Sequence, residues 1–104
     1  MARRFVRVGA VKDVAPGEVK PVEVDGERIV LCNVDGDLYA VCDECTHEAF
    51  PLSAGMLDEH RLTCGLHGAC FDIRTGEVLA LPAMESIRTY DVRVSGEDIE
   101  VALD

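Results

Sequence analysis

Four residues in two short segments have the types and spacing to hold metal: Cys45 and His47, then Cys64 and His67. The pattern is C-x-H, sixteen intervening residues, then C-x-x-H. A mononuclear zinc ion could take two thiolates and two imidazoles, but zinc fingers usually place like ligands together. Here each segment supplies one of each kind. That pairing suits a two-iron centre with inequivalent irons, one taking both thiolates and the other both imidazoles. Cys42 also forms a C-x-x-C with Cys45, which by itself could mean a redox dithiol or half a zinc knuckle. With four ligands already available, Cys42 reads as a small buried hydrophobe ending a strand, and Cys32 reads the same way.

The elements that must position these residues are short. Phe5 to Val8 alternates Phe and Val with Arg, and Val19 to Val24 is a second strand. Asp25-Gly26 turns the latter into Arg28 to Val34, and Asp35-Gly36 turns that into Leu38 to Val41. Such D-G dipeptides between β-branched runs are strong hairpin signals. Arg61 to Cys64, Cys70 to Ile73 and Glu77 to Leu79 are shorter strands, the last two joined at Thr75-Gly76. Ile87 to Val94 is expected to pair with Ile99 to Leu103 across Ser95-Gly96-Glu97-Asp98. The one helical signal is a single turn near Val11 to Val14. The expectation is an all-β chain of antiparallel hairpins, interrupted by loops at 43–59 and 65–69. Long loops in a compact domain are usually functional.

Bulk properties narrow the function. The chain has 104 residues, which makes one domain, and is 48% hydrophobic and 29% charged. Twenty acids against ten Lys plus Arg give a net charge of −10. That excludes nucleic acid and anionic membrane surfaces as natural partners and suits a partner with a positive docking patch. No stretch approaches the ~20 apolar residues of a membrane span. The Arg3-Arg4 pair is followed by Arg7, Lys12 and Asp13, which break any signal-peptide pattern. The expected location is the cytoplasm, where thiols stay reduced, and five cysteines fit a disulfide framework poorly.

The segment Cys45-Thr46-His47, then Cys64-Gly65-Leu66-His67-Gly68, then Phe71-Asp72-Ile73-Arg74-Thr75-Gly76-Glu77 resembles the Rieske family closely. Pro51-Leu52-Ser53-Ala54-Gly55 matches more loosely, and Leu81-Pro82-Ala83 looks like the family's proline loop over the cluster. One departure is Gly65, where the family most often has Pro. The resemblance implies an antiparallel β-sandwich of Rieske type over residues 1–104, with a two-loop cluster-binding part at about 43–83. It also implies one 2Fe-2S cluster held by Cys45, His47, Cys64 and His67, with the two histidines on the electron's exit path.

The same resemblance points to a low potential. Two ferric ions, two sulfides and two thiolates sum to a neutral oxidised centre, and reduction adds one negative charge. High-potential members of the family have a loop-linking disulfide at positions held here by Phe50 and Leu66. They also have hydroxyl donors to the cluster at positions held here by Ala69 and Phe71. Losing donors that stabilise the reduced cluster lowers its potential. The acids Asp43, Glu44, Glu48, Asp58 and Glu59 are expected to push the same way, less so where solvated.

The closest likeness is to small Rieske ferredoxins of bacterial multicomponent oxygenases. It implies a monomeric electron carrier between a flavin-dependent ferredoxin reductase and a terminal, aromatic-ring-hydroxylating or related oxygenase. No substrate-pocket or mononuclear-iron motif suggests catalysis by this chain itself. Two other readings stand beside it: a small Rieske-like subunit of an assimilatory nitrite reductase, and a zinc-binding interaction module. Among the remaining candidates, Cys70 is expected to be buried packing close to the cluster. His60, in the polar Asp58-Glu59-His60-Arg61 turn, is expected at the surface. Met56 and Met84 are expected to pack under the loops.

Overall fold

Asp25-Gly26 and Asp35-Gly36 each close a two-residue hairpin loop, with φ of 51° and 80° in the first and 54° and 97° in the second. Two successive positive φ values give the mirror-image turn whose twist matches the flanking strands. These turns join β2 (Val19–Val24), β3 (Glu27–Val34) and β4 (Asp37–Cys42) into an antiparallel meander. The computed structural model describes residues 4–44, 51–65, 68–80 and 85–103.

β9 (Thr89–Tyr90) adds to β4, giving a sheet of order β2-β3-β4-β9. A second sheet, β1-β11-β10, is built from β1 (Phe5–Ala10), β10 (Val92–Ser95) and β11 (Asp98–Ala102). The third, β5-β6-β7-β8, uses β5 (Met56–Asp58), β6 (Arg61–Thr63), β7 (Cys70–Asp72) and β8 (Val78–Ala80). The pairings within all three are antiparallel.

β3 explains how three sheets share one small domain. It is buried along most of its length, and successive side chains point to opposite faces. Ile29 and Leu31 pack with Val14, Ala40, Ile99 and Val101 in one core. Val30, Cys32 and Val34 pack with Leu52, Leu62, Phe71 and Ile73 in the other. The middle sheet therefore forms a sandwich with β1-β11-β10 on one face and carries the third sheet on the other. Asn33 is the buried polar residue on β3, and it is satisfied. Its Nδ2 donates to the Val14 carbonyl at 2.7 Å and its Oδ1 accepts from the Gly36 N–H at 2.8 Å.

Two expectations need correction. The segment 43–59 is not loop throughout: it contains a 3-10 turn at Leu52–Ala54 and the strand β5. Three residues with one inward side chain, Leu57, are too short to register as a periodic pattern. The segment Ile87 to Val94 is not one strand. Thr89 pairs with Val41 and Tyr90 with Ala40, whereas Val92 pairs with Val101 in a different sheet. The chain changes sheets at Asp91, where alternation continues and hides the break. The expected single turn is present as a 3-10 turn at Val11–Asp13.

Gly55 lies where the chain enters β5, and a Cβ there would sit 1.9 Å from the Thr63 carbonyl oxygen and 3.2 Å from that of Leu52. Both neighbours are backbone and cannot swing aside. Gly55→Ala is therefore expected to destabilise the domain by roughly 1–3 kcal/mol, as overpacking does, read as a lower denaturant midpoint with an unchanged slope.

Candidate metal centre

The third sheet has two distinct ends. At one end Met56 pairs with Thr63, Thr63 with Cys70 and Cys70 with Ala80. Cys64, the first residue past β6, leaves from this end, and its residue is only 3% exposed. It belongs to the core formed with Leu52, Leu62, Ala69 and Phe71. The second expected ligand loop begins and closes here: the Cys64 N–H donates to the Ala69 carbonyl at 2.6 Å, and the Gly68 N–H donates to the Cys64 carbonyl at 3.2 Å.

The first expected ligand loop is anchored to the same end. Asp43 is buried, and its carboxylate accepts from the Ser53 backbone N–H at 2.7 Å and the Ser53 hydroxyl at 2.8 Å. Ser53 lies in the 3-10 turn that leads into Gly55, and Gly55 rests on the Thr63 carbonyl. Side-chain and backbone contacts thus run without a gap from Asp43, two residues before Cys45, to Thr63, one residue before Cys64. Of the four expected ligands, Cys64 is described; Cys45, His47 and His67 lie outside the described residues, as do Glu48, Phe50, Leu66, the Leu81-Pro82-Ala83 segment and Met84.

The five expected acids divide sharply. Asp58 pairs across the hairpin with Arg61 at the far end of the sheet. That is two residues, or about 7 Å of strand, from the Cys64 end, and Glu59 is in the turn beyond it. Glu44 is half-buried, with its side chain 45% exposed, and its carboxylate takes the Arg28 guanidinium at 2.6 Å. Asp43 alone among the described four is buried. Sequence reading counted it as one acid of five; its partner Ser53 is ten residues away, and no local pattern joins them.

The other candidates are also placed. Cys32, Cys42, Cys64 and Cys70 take part in no disulfide. Burial, and then the charge of Asp43, pushes the Cys32 thiol up to about 12. Burial, Glu44 and Asp43 push Cys42 upward in that order, so neither suits a redox dithiol. Cys70 is buried, with its Sγ 3.4 Å from the Thr63 hydroxyl. His60 is not the free surface residue expected. It is half-buried, and its ring stands edge-on to Tyr39 with centroids 5.4 Å apart. The contact links the β5–β6 turn to β4 in the middle sheet. Met56 does not pack under a loop: it is 76% exposed at the Cys64 end of the sheet. Ala69 and Phe71, at the positions where hydroxyl donors were sought, are both buried and apolar.

The described member of the expected ligand set, Cys64, suits an iron–sulfur centre. A buried thiol in an apolar setting at the root of one loop, with a second loop anchored alongside, offers the softness and enclosure that such clusters use. Among the described residues, no helix is long and apolar enough to cross a membrane.

Comparisons with known proteins agree. Residues 4–91 match the family model described as "Rieske [2Fe-2S] domain". The ferredoxin component of biphenyl 2,3-dioxygenase from Rhodococcus jostii (strain RHA1) is 42% identical over 92 residues, covering 88% of this chain and 86% of that one. The solved ferredoxin of carbazole 1,9a-dioxygenase from Nocardioides aromaticivorans IC177 superposes with a TM-score of 0.91 at 34% identity, covering 94% of this chain and 96% of that chain. A ferredoxin-sized chain in a solved complex of reduced oxygenase and oxidised ferredoxin in carbazole 1,9a-dioxygenase gives a TM-score of 0.90 at 29% identity, covering 97% and 94%. With a buried cysteine at the loop end of an all-β frame and a family match along most of its length, this chain belongs to the Rieske family, and its cofactor is one 2Fe-2S cluster of the Rieske type.

Proposed function

We propose that this chain is a low-potential Rieske ferredoxin, carrying single electrons from a flavin-dependent reductase to a terminal oxygenase that hydroxylates an aromatic or related substrate. The observation that carries this reading is its near full-length similarity to ferredoxin components of dioxygenase systems. We assign the cluster-binding part to residues 43–83 of a single domain, with Cys45 and Cys64 holding one iron and His47 and His67 the other. When bound, the cluster supplies a one-electron couple with little accumulated charge. The protein's own contribution is to seal the thiolate side: Cys64 sits within the core shared by Leu62, Ala69 and Phe71. Buried apolar Ala69 and Phe71 provide no side-chain hydroxyl to stabilise added charge. The proposal includes a cytoplasmic monomer, which suits a carrier that meets two partners in turn.

Docking follows from the surface. A net charge of −10 steers a basic partner, and weak, fast complexes suit a shuttle. Exposed Met56 at the Cys64 end adds an apolar contact where the partner would sit.

Four outcomes are expected. The reconstituted chain should be red-brown, contain acid-labile sulfide and, when reduced, give a rhombic spin-resonance signal with average g below the free-electron value. Replacing both His47 and His67 by alanine should abolish the visible spectrum, and a spectrum that survives overturns the ligand set. The voltammetric midpoint should lie below about +100 mV, in the lower part of the family range. The rate of cluster oxidation by the cognate oxygenase should fall as salt is added; a salt-independent rate removes the electrostatic component of docking.

A further inference from the structure

Asp43 combines features that no other described acid has. It is 4% exposed, and both donors it meets among the described residues belong to Ser53 and are neutral. Ser53 thus holds both carboxyl oxygens of Asp43, one through its backbone N–H and the other through its hydroxyl. Its backbone N–H donates to the Arg28 carbonyl at 3.0 Å, yet the Arg28 guanidinium turns outward to Glu44. Glu44 therefore has a cation and solvent beside it, whereas among the described residues Asp43 meets two neutral donors in an enclosed site.

We propose that Asp43 is a positioning residue for the cluster: its bond to Ser53 fixes the first ligand loop, and its enclosed negative charge holds the reduction potential down. The proposal rests on the Rieske reading above and assigns to one side chain an effect otherwise spread over five acids. Reduction adds one negative charge to the centre, and a fixed negative charge nearby opposes it. Salt and water screen the exposed acids strongly and a buried one much less. After burial, Asp43 is what pushes the buried Cys32 thiol up, whereas Glu44 acts on the half-buried Cys42 ahead of Asp43; ionising a thiol, like reducing a cluster, adds one negative charge.

The test uses the cluster-loaded full chain at fixed pH, with midpoint potential and cluster retention under chelator as readouts. Asp43→Asn keeps an acceptor for the Ser53 N–H and a donor for its hydroxyl oxygen, and removes only the charge. It is expected to shift the midpoint upward with an unaltered spin-resonance line shape. Ser53→Ala keeps the charge and removes one donor. It is expected to speed cluster loss without raising the midpoint.

A loaded Asp43→Asn protein with the wild-type midpoint overturns the proposal. So does an equal rise in both variants, because loop disorder would then set the potential. If Asp43→Asn does not retain its cluster, Ser53→Ala decides: faster loss than wild type supports the tether, and wild-type retention overturns it. Failure of the Rieske reading is separate, since the wild-type chain itself would then lack sulfide and colour.

Discussion

Everything in this domain is arranged around a strand that is wet on neither face. β3 sends Ile29 and Leu31 into one core and Val30, Cys32 and Val34 into the other. Antiparallel sheets commonly leave one face to solvent. Here the sandwich takes one face for stability, and the other becomes the platform for a second, smaller sheet. The two expected ligand loops leave from β4 of the middle sheet and from β6 of the smaller one, and Cys64 sits in a core separate from the one that closes the sandwich.

The described residues that flank the expected ligand loops meet through polar contacts and close backbone packing. Asp43 reaches Ser53, Gly55 lies against Thr63, and the Cys64 and Ala69 backbones close on each other. These contacts need little apolar area, which is scarce at the edge of a small domain. They also set direction more strictly than apolar packing does, because hydrogen bonds fail quickly with angle. The Tyr39–His60 contact performs a similar service at the opposite end, tying the β5–β6 turn down to β4.

The sequence made some of this legible and hid the rest for identifiable reasons. The β2–β3–β4 meander could be read because both D-G turns state their geometry locally and the strands between them alternate. β5 could not, since three residues give no period. The break at Asp91 could not either, because Thr89-Tyr90 and Val92–Ser95 keep one rhythm while pairing with different sheets. At the centre, ligand types and spacing were enough to point to paired irons, and the family match agrees with that chemistry. What escaped was the ranking of the acids. Burial separates Asp43 from Glu44, its immediate neighbour, and burial is a property of the folded chain, here involving Ser53 and the Arg28 carbonyl.

The rim strand β5 is only three residues long, with Asp58 and the exposed Met56 pointing outward. So brief a run of unpaired peptide groups gives another polypeptide nothing to zip onto, which is how short borders resist unwanted association. Visitors to this side of the molecule must hold on by side chains alone. A grip of that kind lets go readily, and a carrier has to be released before it can be refilled.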